Sequence, residues 1–146
     1  MRFLSLLVRI IAVLIIMLNL NYKLAASPES VYIFETIGME PWGRIGSGVM
    51  EFVAAVLLLI PRTIWMGAIL GMVAMIGAIS SHLTKLGIEV QGDGGFLFYS
   101  AITVFICCLI ALILDRNRMI RFFKKENKQE ELAQAPAENE TGATEE

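Results

Sequence analysis

The chain is poor in the residues that soluble catalysts and disulfide-scaffolded domains depend on. Its 146 residues include one histidine, two cysteines and four prolines, and charged side chains make up only 18%. Soluble globular chains carry about 25%. A single histidine, His82, cannot supply paired axial ligands to a haem, and no CxxCH motif occurs. Cys107 and Cys108 are adjacent within an apolar run, a pattern that excludes a disulfide framework, a CxxC redox motif and a zinc ligand set. They read as small apolar fillers, and no metal site is expected. Basic and aromatic residues are not interleaved, so no nucleic-acid partner is expected. The low charge itself argues against an ordinary soluble enzyme.

What the chain has in quantity is apolar sequence: 56% of residues are hydrophobic, and mean hydropathy is +0.67. A spanning helix needs ~20 apolar residues, and four segments qualify. Phe96–Leu114 has no charge, Thr63–Thr84 has His82 as its only titratable group, Ile45–Ile60 is apolar apart from Glu51, and Phe3–Ala26 contains Arg9 and Lys23. Reading Phe3–Ala26 as a cleaved leader is disfavoured by Asn19, Asn21, Tyr22 and Lys23, and by the three apolar segments that follow. The expected fold is an all-α membrane protein, an antiparallel four-transmembrane-helix bundle in residues 1–115. Its helices are expected at about 3–26, 43–60, 63–86 and 96–114. Pro61 and Arg62 form a very short link, making the second and third helices antiparallel neighbours. Between the first two, Ser27 and Pro28 can open a short amphipathic helix over about 28–38, with Val31, Ile33, Phe34 and Ile37 on one face. Gln91–Gly95 reads as a turn; no strand precedes it and no Lys-Ser/Thr follows, so it is not a phosphate loop.

The net charge of −2 is a cancellation. Residues 126–146 hold seven acids against one base, which leaves +4 on the first 125. Residues 116–125 read as a basic juxtamembrane segment facing lipid headgroups, and 126–146 as a disordered acidic tail. Nine bases fall at one side of the predicted bundle (Arg2, Arg9, Arg62, Arg116, Arg118, Arg121, Lys124, Lys125 and Lys128) and three at the other (Lys23, Arg44 and Lys85). The positive-inside rule then puts both termini in the cytoplasm, in a bacterial-type inner membrane. Gly67 and Gly71 form GxxxG, extended by Ala74 and Ala78, a spacing that lets helix backbones approach within one chain or across a homo-oligomer seam.

Ionisable residues inside a membrane are costly and generally face a bundle interior or a wet cavity. Arg9, Lys23, Glu51 and His82 are the four here. At the helical rise, Glu51 lies about 10–13 Å and His82 about 6–8 Å below the same surface, and Lys23 sits near it with Asn19 one turn deeper. Glu51 and His82 are candidates for proton handling; Lys23, Arg9 and Asn19 are candidate ligand-binding residues. A purely structural reading pairs Lys23 with Glu51, with His82 completing a network that only fixes register. Arg9, nearer the cytoplasmic end, is expected to snorkel towards it. Ser80 and Ser81 beside His82 point away from it on a helix and do not make a nucleophile.

These residues also resemble a known family. Arg9, Asn21-Tyr22-Lys23-Leu24 and Pro28 are similar to the opening of DoxX-like membrane proteins. Gly46-Ser47-Gly48-Val49-Met50-Glu51 with Leu57-Leu58-Leu59-Ile60-Pro61 resembles the family's second helix, and Gly67-Ala68 with Gly77–Leu83 its third. The resemblance covers about Arg9–Leu114. It implies a four-helix membrane bundle, in some relatives a subunit of thiosulfate:quinone oxidoreduction or an associate of redox-defence enzymes. The expected function is a membrane subunit or partner of a redox system, with quinone as the ligand and a redox protein as partner. The alternatives are a structural or assembly partner without catalysis, handled through the basic segment and acidic tail, and a small oligomeric proton or solute transporter.

Overall fold

A chain segment surrounded by lipid has to satisfy its own backbone, and an α-helix does so within a single segment. In the computed structural model, which describes residues 2–134, the chain is helical in five stretches and has no strand among the described residues. They are α1 (Arg2–Leu24), α2 (Pro28–Thr36), α3 (Trp42–Leu59), α4 (Ile64–Ser81) and α5 (Phe96–Gln134). A π-helical turn, His82–Leu86, continues α4. Four segments are long and apolar enough to cross a membrane: Phe3–Leu24, Trp42–Leu59, Ile64–Leu86 and Phe96–Arg116. At 1.5 Å per residue each is about 27–34 Å long, matching a ~30 Å hydrocarbon core. The protein is accordingly a membrane protein.

Burial follows the logic of a lipid solvent. Large apolar side chains point outward, among them Phe3, Leu14, Val73 and Ile113, while Ala12, Ala54, Ala55, Ala68, Ala101 and Ala111 fill the interior. Lipid tails are as apolar as leucine, so burying leucine gains little, and close helix contact through small residues is what holds the helices together. Gly67 is the tightest such contact: a Cβ there would lie 2.6 Å from Leu58 N and 2.8 Å from Ala54 O. A Cβ on Gly71 would lie 2.9 Å from the sulfur of Cys108. The GxxxG face is thus occupied by α3 and α5 of the same chain.

Polar ties set the antiparallel order. Lys23 meets Glu51, while Arg9 reaches Leu58 O, which runs α3 against α1. Asn19 meets Ser100, while Ser5 donates to Asp115, which runs the first part of α5 against α1. Short α2 begins where Ser27 accepts a hydrogen bond from Ser30 N at 3.3 Å, with Pro28 in its first turn, and the chain turns away at Gly38 (φ 77°). Phe34 and Ser30 are its buried residues.

The far end of α5 corrects the sequence reading. The helix expected to stop at 114 continues through the basic segment to Gln134, so residues 126–134 are helical rather than disordered. Lysine, glutamate, glutamine, leucine and alanine dominate 124–134 and are strong helix formers. The rest of the expected acidic tail, 135–146, lies outside the described residues. A second compact unit begins at Asn117, distinct from the bundle unit that ends at Arg116.

Two glycines of α4 test the packing. Gly67→Ala should destabilise the bundle by about 2–3 kcal/mol, since backbone cannot yield as a side chain can. Gly77→Ala should be neutral or slightly stabilising, because nothing lies within 4 Å of its Cβ position. Reversible unfolding in detergent measures both, and equal effects would contradict the Gly67 contact.

Candidate functional site

At the α2 end of the bundle, the helices part around a cavity of about 230 Å³. Its walls are mostly apolar: Ile33 and Phe34 from α2, Ile37 just after it, Met50 from α3, Ala74 and Ala78 from α4, and Ala101 from α5. Against them stand Asn19, Lys23, Ser30, Ser47, Glu51 and His82. Four of the sequence-predicted residues, Asn19, Lys23, Glu51 and His82, thus come together on one lining.

Each is held by its neighbours. Glu51 on α3 is 2% exposed, and its Oε1 accepts from the ammonium of Lys23 on α1. Gly48, one turn before Glu51, leaves room for Leu20 and the Lys23 stem, so α1 and α3 can close on the pair. The Lys23 ammonium also stands 5.8 Å from the centre of the Phe34 ring, within cation–π range. Arg44 donates to Lys23 O and grips Glu40 at 2.8–3.0 Å, tying the start of α3 to the end of α1. Asn19 donates to Ser100 at 3.1 Å, and Ser100 in turn donates to Leu97 O at 2.8 Å.

His82 is placed by the π-turn. Gly87 N reaches back to His82 O at 2.8 Å, and Gly87 takes φ 79°, a left-handed value that glycine adopts without strain. The same turn brings Gly87 O to 2.8 Å from His82 Nδ1. A carbonyl only accepts, so Nδ1 carries the proton at this contact. The ring rests on Phe98, centroids 5.5 Å apart and tilted by 56°. Below it, Asp93 organises the α4–α5 loop by accepting from Val90 N, Gly95 N and Leu97 N at 2.8–3.0 Å. Partial burial pushes the Asp93 carboxyl up, but these three backbone donors, with a smaller contribution from His82, hold it below its usual value.

Two oxygens in this lining lack a partner. Glu51 Oε2 and Ser30 Oγ are buried and make no hydrogen bond, and both residues border the cavity. Lys23 satisfies one carboxylate oxygen and leaves the other. An unsatisfied buried acceptor costs about 1–3 kcal/mol, which a ligand donor would recover.

Arg9 belongs elsewhere. It is 7% exposed, near the opposite end, and donates to Ser5 O and Leu58 O, both at 3.1 Å. Rather than snorkelling, it clamps α1 to the C-terminal carbonyls of α3, where the helix dipole favours a cation. Ser5 and buried Asp115 form a second tie at that end. Sequence reasoning missed Ser30, whose only signal was sharing a helix face with Phe34 four residues on. It also missed Asp115, which read as the boundary of an apolar run. Among the described residues no group of three His, Cys, Asp or Glu side chains gathers at metal-binding distance. Cys107 and Cys108 are buried free thiols.

The ion pair makes a specific prediction. Glu51→Leu alone strands a largely buried ammonium and should cost on the order of 3 kcal/mol. Adding Lys23→Met should return most of that stability, as measured by a double-mutant cycle in unfolding experiments. Additive losses would mean that the two side chains do not pair.

The comparisons add no further identity: no family model, no curated protein and no solved structure matches this chain.

Proposed function

We propose that this protein is a DoxX-like membrane subunit of a quinone-linked redox system, with the α2-end cavity as its quinone site. The observation that carries this reading is the pairing, within one mostly apolar cavity, of a buried carboxylate that has an unpartnered oxygen and an imidazole from a facing helix. Apolar walls with a few convergent polar groups suit a lipophilic ring. Interconversion of quinone and quinol moves two electrons and two protons. In this reading the electrons pass to or from a partner redox protein, and Glu51 and His82 exchange the protons at the ring oxygens. Lys23 and Asn19 hold the ring end, and α2 covers it. The excess of basic residues at one side of the bundle supports, in this reading, cytoplasmic termini in a bacterial-type inner membrane, with the cavity in its outer half.

The test is quinone reduction in proteoliposomes containing the protein with whatever redox protein co-purifies with it. A positioned proton donor typically contributes 10²-fold or more. Glu51→Gln and His82→Ala should therefore each slow turnover by at least about tenfold. Rates equal to those of the unaltered protein would remove the redox reading and favour a structural or assembly role for the bundle.

A further inference from the structure

The cavity is not sealed inside the bundle. Its lining reaches Val73, which is 54% exposed on the outer face of α4. Val73 lies about 20 Å along the helix from Leu86, which is mid-membrane depth rather than surface depth. Val73 is also shared with a shallow, wholly apolar groove formed by Leu57, Met66, Ile69 and Leu70 on the lipid-facing side of α3 and α4. One turn above it, Gly77 lines the cavity, is exposed, and offers open space where a side chain would stand. A path of apolar surface therefore runs from the acyl-chain region past Val73 and Gly77 to the polar residues at the α2 end.

The polar residues define what would fit at the head of that path. Lys23 and Glu51 cancel each other's charge. Of the other bases at this end, Arg44 is engaged by Glu40, and neither Arg44 nor Lys85 lines the cavity. Within the lining, the Lys23–Glu51 pair leaves no unpaired lysine, arginine or carboxylate side chain to hold an ionic headgroup. What is left unsatisfied is hydrogen bonding: Glu51 Oε2 can only accept, and Ser30 Oγ can donate or accept. Both residues are more than nine-tenths buried. An ether or carbonyl oxygen cannot donate to a carboxylate, whereas a hydroxyl can.

We infer that the cavity binds a neutral, hydroxyl-bearing amphiphile that enters from the lipid, its hydroxyl donating to Glu51 Oε2 and its tail lying past Gly77 and Val73. This deepens the functional reading of the same cavity, since it specifies the ligand's hydroxylated form and its route of entry.

Photocapture by the full chain in phosphatidylcholine vesicles tests this. The probes are a long-chain alkylphenol with a diazirine in its chain, its methyl ether, and the alkyl phosphate with the same tail. The phenol should label the protein near Met50 and Val73, about tenfold or more strongly than either analogue. Gly77→Phe, which fills the passage, should reduce phenol capture at least about tenfold, as expected for a blocked site. Ser30→Ala should lower capture with the fold intact, as thermal unfolding in detergent would verify. Equal capture of phenol and methyl ether, stronger capture of the phosphate, or full capture by Gly77→Phe would each overturn the inference. Phenol capture without quinone turnover would remove the redox reading and leave the amphiphile site standing; turnover with equal capture of phenol and ether would do the reverse.

Discussion

Lipid offers no hydrogen bonds, so every polar group carried into the bundle must find a partner in the protein or remain unpaired at a cost. Most of the internal order follows from that constraint. At one end Lys23–Glu51 and Asn19–Ser100 tie α1 to α3 and α5; at the other, Arg9–Leu58 O and Ser5–Asp115 do the same. Two ties at each end of antiparallel helices fix their register more sharply than apolar contact, which slides easily. Small residues between the ties, Ala12, Ala54, Gly67, Ala68 and Gly71, let the backbones close at mid-bundle. The α2 end does not close in the same way. There α2 lays Phe34 and Ser30 across the bundle, and the cavity remains beneath.

The parts legible in the sequence are those where charge and apolarity conflict. A lysine, a glutamate and a histidine in otherwise apolar segments, each near the same end at the helical rise, had to share an environment, and Lys23, Glu51 and His82 line one cavity. The four apolar helices were legible for the same reason. Arg9 shows where this reasoning stops. Depth along a helix does not say whether a long side chain turns to water or to a neighbouring backbone, and the carbonyl that receives it, Leu58 O, belongs to a helix end distant in sequence. The π-turn at His82 has no breaker in Leu83–Leu86, and only Gly87 marks it. Ser30 was hidden because serine is common on short helices and its burial depends on tertiary packing. The length of α5 was misread because a charged, alanine- and glutamine-containing stretch is compatible both with disorder and with a helix, and composition alone does not choose.

The site combines a structural ion pair with an unfilled acceptor, and the two roles are separable. Pairing Lys23 with one carboxylate oxygen stabilises the charge in the membrane, while the other oxygen remains for a ligand. The hydrogen bond from His82 Nδ1 to Gly87 O fixes the imidazole on the facing wall. Such a lining recognises hydroxyl groups rather than ions, and its exposed edge at Val73 faces acyl chains rather than water.

The central claim, that Glu51 keeps one oxygen free for a ligand's hydroxyl, is tested most directly by infrared difference spectroscopy on membranes with and without an alkylphenol. The carboxylate stretch should shift on binding, and the difference band should vanish in Glu51→Gln. A carboxylate spectrum unchanged by saturating phenol would contradict it.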